Sequence, residues 1–154
     1  MSKLPTVAII GQANVGKSSL FNRLTRSRTA IVAREAGTTR DNVVGKVSYK
    51  RRNVDSAPSD DYSQFWLIDT AGLKTAEDEF EATIQDQIAD ASAAADVILV
   101  TVDSTVYPSD ADRQLAKKAL KSGKPVILIA NKADLKGSLS IDEFKRLGIK
   151  TIIK

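Results

Sequence analysis

Residues 11–18 of the chain read GQANVGKS, which fits the pattern GxxxxGK[ST]. The apolar run Thr6 to Ile10 precedes this stretch and is typical of a buried strand. After it, Leu20, Phe21 and Leu24 share one face of a predicted helix. The two glycines allow the backbone to curl so that successive N–H groups face inward, and the helix N-terminus adds partial positive charge. A strand, a glycine-rich loop and a helix in this order predict a phosphate-binding loop.

Two side chains at the end of this loop suit the chemistry of a bound nucleotide. Lys17 would reach the outer two phosphates, and the hydroxyl of Ser18 would bind Mg²⁺. The alternative interpretation is an ordinary glycine turn with a lysine on the next helix. The strand on one side and the helix on the other favour phosphate binding.

Five further segments are predicted to be strands. Val97 to Val102 and Pro125 to Ala130 are continuous apolar runs, and Gln64 to Asp69 is similar but ends on a carboxylate. Asn42 to Lys50 alternates between apolar and polar residues, which is typical of a half-exposed edge strand. The run Thr151 to Ile153 would be a sixth, short strand.

Helical patterns alternate with these strands. Apolar residues recur at three- and four-residue spacing at Ile84, Ile88, Ala91 and Ala95. Ser109 followed by Asp112 predicts the start of a helix that ends near Gly123, and Ser140 predicts the start of a short helix that ends at Gly148. The pattern predicts an α/β fold with a mostly parallel six-stranded sheet, one antiparallel edge strand and helices on both faces. In such sheets, ligands bind at the carboxyl ends of the strands.

The composition limits the chemistry that the chain can perform. Its 154 residues suit one domain, and it contains no cysteine and no histidine. Thiol and imidazole chemistry are therefore excluded, and a reducing cytoplasm is the expected location. No apolar run is long enough to span a bilayer, so no membrane association is expected. The net charge of +4 permits contact with phosphates, but no basic and aromatic pattern indicates direct nucleic-acid binding.

Residues 69–72, Asp-Thr-Ala-Gly, follow an apolar strand. The carboxylate of Asp69 could hold Mg²⁺ through a water molecule, as the second acidic element of such sites does. The amide of Gly72 could contact the terminal phosphate and move when that phosphate leaves. A plain turn at the end of a strand is the alternative, and the phosphate loop upstream makes the magnesium interpretation the stronger one.

Residues 131–134, Asn-Lys-Ala-Asp, follow another apolar strand. Guanine offers two donors, N1–H and the 2-amino group, and the carboxylate of Asp134 can accept both. Adenine lacks this pair and would leave the charge unsatisfied. The stem of Lys132 can lie over the purine, and Asn131 can tie this loop to the phosphate loop. GTP is therefore the predicted nucleotide, and an ATP-using kinase is disfavoured.

Together, the motifs GxxNxGKS, GTTRD, DTAG and NKAD resemble those of the translation-factor-like GTPases of the Era, MnmE and EngA/Der group. GTTRD at residues 37–41 is the telling element, because most Ras-like proteins keep a single threonine there. The similarity is strongest to the first GTPase domain of EngA/Der, through residues 111–134 and 144–149.

The resemblance implies several roles that the motifs alone do not. Thr39, or as a second choice Thr38, would bind Mg²⁺ when GTP is present. Asn14 would help to hold K⁺ against the phosphates, and this cation would take the place of an arginine finger. The alternative is that Asn14 is a turn residue that steadies the loop. Leu73 stands where Ras-like proteins have a glutamine that positions water. Water would then be oriented by the Thr39 backbone or by a carboxylate among residues 77–79, and the choice stays open.

The full set of predicted site residues follows from these motifs. The nucleotide-binding residues are Gly11, Asn14, Val15, Gly16, Lys17, Ser18, Ser19, Asn131, Lys132 and Asp134. The catalytic residues are Lys17, Thr39 and Gly72. The metal ligands are Ser18, Thr39 and Asp69 for Mg²⁺, and Asn14 for K⁺.

The resemblance also implies a function and a domain organisation. GTP would be hydrolysed slowly to GDP and phosphate as a conformational switch in assembly of the large ribosomal subunit. The alternatives are the GTPase domain of an MnmE-like tRNA-modification protein and a GTP-gated binding module with negligible turnover. The guanine-contacting loop of this group would follow Lys154, so residues 1–154 are expected to be one GTPase domain from the N-terminal part of a longer protein.

Overall fold

A mixed β-sheet forms the centre of the computed structural model, which describes residues 4–12, 15–25, 31–34, 41–50, 62–69 and 84–154. The strands within these ranges are β1 (Thr6–Gly11), β2 (Ile31–Arg34), β3 (Asp41–Lys50), β4 (Tyr62–Asp69), β5 (Val97–Asp103), β6 (Val126–Asn131) and β7 (Thr151–Ile153). The helices are α1 (Lys17–Thr25), α2 (Ile84–Ala94) and α3 (Asp110–Lys121). None of these helices is long and apolar enough to cross a membrane.

The strand order places the carboxyl ends of β4, β1, β5 and β6 side by side. The order is β2-β3-β4-β1-β5-β6-β7, and β4, β1, β5, β6 and β7 run parallel to their neighbours in this group. Register pairs Ile9 with Asp69, Gly11 with Thr101, and Asp103 with Asn131. The residues that end these strands therefore lie along one edge of the sheet, where the sequence predicts the ligand site.

Within the described residues, the sheet has one strand more than the six predicted. All six predicted strands are present, and β2 adds a seventh that pairs antiparallel with β3, from Ile31 opposite Val44 to Arg34 opposite Asp41. β3 pairs antiparallel with β4 on its other side, so it is not the edge strand that its alternating pattern predicts. β2 was missed because four residues are too few to show a period of two clearly.

Helices cover both faces of the sheet, as predicted. Residues that alternate along β1 enter opposite cores: Ala8 and Ile10 pack with α2 and α3, whereas Ile9 packs with Phe21 of α1. β5 repeats this arrangement, since Leu99 joins the α1 side and its neighbours join the other. Strands buried on both faces explain the continuous apolar runs in the sequence.

Local capping signals fix the start of α3 and the chain after β6. Ser109 caps α3: its side chain accepts a hydrogen bond from the Asp112 amide, and the Asp112 carboxylate accepts one from the Ser109 amide. This is the predicted capping pattern. The helix predicted after Ser140 is instead two short 3₁₀ turns, Ile141–Glu143 and Lys145–Leu147, and it ends at Gly148 with φ of 83°.

Candidate functional site

Lys17 is the first residue of α1 and points back into the loop that precedes it. Its side chain is buried, and its ammonium group donates to the carbonyl oxygens of Gly11 and Gln12, the latter at 3.2 Å. A buried ammonium is stable only where such acceptors replace water. Gly11 and Gln12 therefore hold a positive charge in place at the N-terminus of a helix, where the helix dipole adds to that charge.

The two glycines of the loop are required by close approach to the sheet. A Cβ atom on Gly11 would lie 2.7 Å from the carbonyl oxygen of Thr101 in β5. Gly16 has φ of 91°, in the left-handed region, and a Cβ atom there would overlap the side-chain amide nitrogen of Asn131. Any other side chain at Gly16 would thus meet both backbone strain and a steric conflict.

The loop after β6 is bonded directly to the phosphate loop. The side-chain amide of Asn131 donates to the carbonyl oxygen of Val15 at 2.9 Å and makes a longer contact of 3.4 Å with that of Gly16. The predicted tie between the two loops is thus confirmed. It holds residues 131–134 beside residues 15–17, although the two segments are far apart in the sequence.

Three residues that sequence reasoning did not identify hold the loop after β6 in place. Ser104 is buried, and both its amide and its hydroxyl donate to the carbonyl oxygen of Asn131, at 2.9 and 2.7 Å. Asp103 pairs with the ammonium group of Lys132 at 3.0 Å and accepts two hydrogen bonds from Thr105. The sequence does carry a signal that could have identified these three residues. They form a polar turn directly after the apolar strand β5, which lies next to the strand that the NKAD motif follows.

Opposing effects act on the carboxylate of Asp103. Partial burial acts to raise the pKa of Asp103, because it disfavours the charged form. Hydrogen bonds from Thr105 and the nearby charge of Lys132 together outweigh burial, so the pKa of Asp103 lies below its ordinary value. Asp103 is therefore ionised at neutral pH and fixes the position of the Lys132 side chain.

Lys132 and Asp134 lie in the turn that follows β6. Lys132 adopts the left-handed conformation with φ of 62°, and its carbonyl oxygen accepts from the amide of Leu135 at 3.1 Å. The hydroxyl of Ser138 donates to the carbonyl oxygen of Ala133 at 3.0 Å. Asp134 is exposed on this braced turn. Its carboxylate is therefore open to a ligand, while the backbone that carries it is fixed.

Asp69 ends β4 and is almost entirely buried, with 1% of its surface exposed. It lies opposite Ile9 of β1, two residues before the start of the phosphate loop. A carboxylate at this depth beside a phosphate loop offers the hard oxygen ligands that Mg²⁺ prefers. The buried carboxylate fits the predicted magnesium site.

Several predicted site residues lie outside the described part of the chain. These are Asn14, Thr38, Thr39, Gly72, Leu73 and the carboxylates at 77–79. Ser18 and Ser19 lie in the first turn of α1. Ser19 is exposed, and the side chain of Ser18 is not among those that the structure describes. The described residues bring together Gly11, Val15, Gly16, Lys17, Asp69, Asn131 and Lys132 at one edge of the sheet.

Comparison with known proteins identifies relatives over most of the chain. The sequence matches the model of a family described as 50S ribosome-binding GTPase over residues 6–132. It is 43% identical over 145 residues to GTPase Der of Porphyromonas gingivalis and 41% identical over 149 residues to GTPase Der of Gemmatimonas aurantiaca. These alignments cover 93% and 95% of this chain but 31% of each relative, so the chain spans about a third of the length of those proteins. The resemblance to EngA/Der is thereby confirmed.

Solved structures of related GTPases share the fold. Aquifex aeolicus Era bound to GDP.AlF4- matches with a TM-score of 0.68 and 29% identity, over 99% of this chain and 50% of that one. The G domain of the T. maritima FeoB iron transporter matches with a TM-score of 0.66 and 28% identity, over 98% of this chain and 86% of that one. Both likenesses confirm the predicted G-domain fold. With the family model matched from the first strand to Lys132, the chain belongs to the family of 50S ribosome-binding GTPases.

Proposed function

We propose that the chain binds GTP and GDP along the edge of the sheet and hydrolyses GTP to GDP and phosphate. The observation that carries this proposal is the hydrogen bond between Asn131 and Val15, because it joins the base-recognition loop to the phosphate loop. One nucleotide could then contact Lys17 at its phosphates and Asp134 at its base. Membership of a family of GTPases supports the same conclusion.

Lys17 binds the outer phosphates in this proposal. Its ammonium group is held by two backbone carbonyl oxygens of the loop, which supports the role because entering phosphate oxygens would find a charge already oriented. Backbone amides of the loop and the N-terminus of α1 add to the attraction for anions. Lys17 would thus neutralise negative charge that develops on the phosphates during cleavage.

Magnesium is proposed as the cofactor at the same end of the site. Ser18 and Thr39 would bind it directly, and Asp69 would hold it through a water molecule. When bound, Mg²⁺ would neutralise charge on the phosphate oxygens. The burial of Asp69 supports this assignment, since a buried carboxylate keeps its charge best where a cation can balance it.

Asp134 selects guanine in this proposal, by accepting hydrogen bonds from N1–H and the 2-amino group. Lys132 would cover the purine with its aliphatic stem. The ion pair of Lys132 with Asp103 supports this role, because it restrains the long Lys132 side chain before a base binds. Asn131 would keep the base at a fixed distance from the phosphates through its contact with Val15.

Turnover would depend on Lys17, on Thr39 and Gly72 as groups that respond to the terminal phosphate, and on K⁺ held by Asn14. Since several relatives are named GTPase Der and the family is described as ribosome-binding, we place the full-length protein at the large ribosomal subunit. Co-sedimentation of the full-length protein with that subunit, in GTP and in GDP, tests this setting. Equal absence from the ribosomal fraction in both nucleotides would reject it.

The base assignment is tested by replacing Asp134 with asparagine. We expect Asp134→Asn to lower GTP affinity by ~100-fold and to raise affinity for xanthosine triphosphate, because an amide can donate to the 2-oxo group of xanthine. Calorimetry with both nucleotides and Mg²⁺ measures the change. Asp142→Asn is the matched control, because the Asp142 side chain is 77% exposed and lies in the 3₁₀ turn Ile141–Glu143, outside both the turn after β6 and the first turn of α3. Binding of ATP as tightly as GTP by the wild-type protein would reject the proposal.

Hydrolysis is tested separately from binding. Single-turnover assays in K⁺ and in Na⁺ measure the release of phosphate from bound GTP. A rate stimulated by K⁺ supports turnover with Asn14 as a cation ligand. Tight binding without measurable turnover in either salt supports the GTP-gated binding module instead.

A further inference from the structure

The side chain of Gln12 leaves the phosphate loop and reaches α3. Its amide nitrogen donates to the hydroxyl of Ser109 at 2.7 Å and to a carboxylate oxygen of Asp112 at 2.6 Å. A primary amide has two N–H groups, so these two contacts use both of its donors. The reverse orientation would turn the amide oxygen towards the Asp112 carboxylate, which is repulsive, and the side chain is therefore held in one orientation.

Both acceptors belong to the capping box that starts α3. The hydroxyl of Ser109 accepts from the Asp112 amide at 3.2 Å, and one carboxylate oxygen of Asp112 accepts from the Ser109 amide at 3.0 Å. The other carboxylate oxygen of Asp112 accepts from Gln12. Asp112 is 6% exposed, and a buried carboxylate depends on such donors in place of water. The helix cap and the phosphate loop thus share one hydrogen-bond network.

The backbone of Gln12 faces the other way, into the phosphate site. Its carbonyl oxygen accepts a hydrogen bond from the ammonium group of Lys17 at 3.2 Å. One residue therefore connects the charge that would meet the phosphates to the first turn of α3. Movement of Lys17 towards bound phosphates would change its hydrogen bond to the Gln12 carbonyl oxygen. A shift of Gln12 would in turn change its side-chain hydrogen bonds to Ser109 and Asp112.

We infer that Gln12 is a positioning residue that couples nucleotide binding to the N-terminus of α3. The inference rests on the proposed function, because it concerns the same nucleotide site. Coupling of this kind is reciprocal: bound nucleotide stabilises the first turn of α3, and a weakened cap lowers nucleotide affinity by the same factor. Among the residues that the structure describes, Ser109 and Asp112 are linked to the phosphate loop through the side chain of Gln12.

The first experiment measures GDP affinity by calorimetry in the presence of Mg²⁺ for Gln12→Ala, Ser109→Ala and the double variant. Each single change is expected to weaken binding roughly tenfold, as is typical for loss of a hydrogen bond to a partly buried partner. The double variant is expected to weaken binding by much less than the product of the two, because both changes break the same link. Independent, multiplicative effects would contradict the inference.

Two matched controls separate coupling from general destabilisation. Ser140→Ala removes another serine cap, since the Ser140 side chain accepts from the Asp142 amide but belongs to a different turn. Gln114→Ala removes an exposed glutamine from α3 itself. Both are expected to keep wild-type GDP affinity even where thermal unfolding shifts. A loss of affinity in Ser140→Ala equal to that in Ser109→Ala would overturn the inference.

The second experiment reads the coupling in the opposite direction by hydrogen exchange. The amides of Asp112 and Arg113 both donate to Ser109, so their exchange reports on the first turn of α3. Saturating GDP is expected to slow their exchange in the wild-type protein and to leave it unchanged in Gln12→Ala. The same protection in both proteins would overturn the inference. Failure of the wild-type protein to bind GDP at all would instead reject the proposed function.

Discussion

Asn131 and Val15 lie 116 positions apart in the sequence, and a hydrogen bond of 2.9 Å joins the side-chain amide of the first to the carbonyl oxygen of the second. This bond closes the site, because the two loops come from strands on either side of β5. Ser104 directly follows β5, and its amide and hydroxyl donate two further hydrogen bonds to the carbonyl oxygen of Asn131. The loop after β6 is thus fixed by Val15, which lies after β1, and by Ser104, which directly follows β5.

Removal of this link should weaken both the fold and nucleotide binding. Asn131→Ala leaves the carbonyl oxygen of Val15 without its donor, which costs about 1–3 kcal/mol when a polar group is partly buried. We expect a fall of that size in the free energy of unfolding and a loss of GDP affinity of roughly tenfold. Urea unfolding and calorimetry measure the two effects. Asn22→Ala, at an exposed position on α1, is the control, and equal behaviour of the two variants would contradict the assigned role.

The energetic cost of a side chain at Gly16, which lies close to Asn131, can be compared with the cost at another glycine of positive φ, Gly123. Gly16 has φ of 91° and Gly123 has φ of 80°, but a Cβ atom on Gly123 would meet nothing within 4 Å. Gly123→Ala should therefore cost only the backbone strain, about 1–2 kcal/mol. Gly16→Ala should cost more, because it must also displace the Asn131 side chain. Denaturant unfolding of both variants gives the difference, and equal losses would show that the contact is not tight.

The packing of α1 on the sheet should be sensitive to Gly45 of β3. A Cβ atom on Gly45 would lie 2.5 Å from Cγ2 of Thr25 and 2.8 Å from Cζ of Phe21. Gly45→Ala should lower the free energy of unfolding by about 1–3 kcal/mol through overpacking.

The second change, Thr25→Ser, provides the test of that cause. Serine removes Cγ2 and keeps the hydroxyl that donates to the carbonyl oxygen of Phe21 at 2.9 Å. We expect Gly45→Ala with Thr25→Ser to recover part of the lost stability in thermal unfolding. Additive losses in the double variant would mean that the clash is not the cause.

The ion pair of Asp103 with Lys132 should give stability a specific pH dependence. Because the pKa of Asp103 is lowered from its ordinary value of 3.8, the folded chain binds this proton less readily than the unfolded chain. The contribution is therefore complete at pH values well above 3.8 and is lost as the pH falls through the lowered pKa. Asp103→Asn should cost about 1 kcal/mol at neutral pH.

Unfolding in urea from neutral pH down to about pH 3 checks the sign of this effect. The difference in stability between wild type and Asp103→Asn should stay constant down to about pH 5 and then shrink. Asp110→Asn corrects for effects that any exposed aspartate would have, since Asp110 is 91% exposed. A difference that grows with acidity would reverse the assigned direction.

Individual strands and helices differ in how well the sequence predicts them. The continuous apolar runs identified β1, β5 and β6, because strands buried on both faces need no polar positions. The four residues of β2 gave no such signal, because they form a strand through their pairing with β3. The short helix predicted after Ser140 forms as 3₁₀ turns, a distinction that periodicity over so few residues does not make.

By itself, the sequence determined the motifs and their local geometry: the glycine-rich loop, the cap at Ser109 and the polar residues that end each strand. These features depend on neighbours within a few positions, where residue type controls backbone conformation and hydrogen bonding. Only the tertiary structure decided that Ser104 holds the backbone of Asn131, that Asp103 restrains Lys132 and that Gln12 reaches Ser109. Such contacts depend on strand order and register, which bring distant residues together and leave no pattern in the linear sequence.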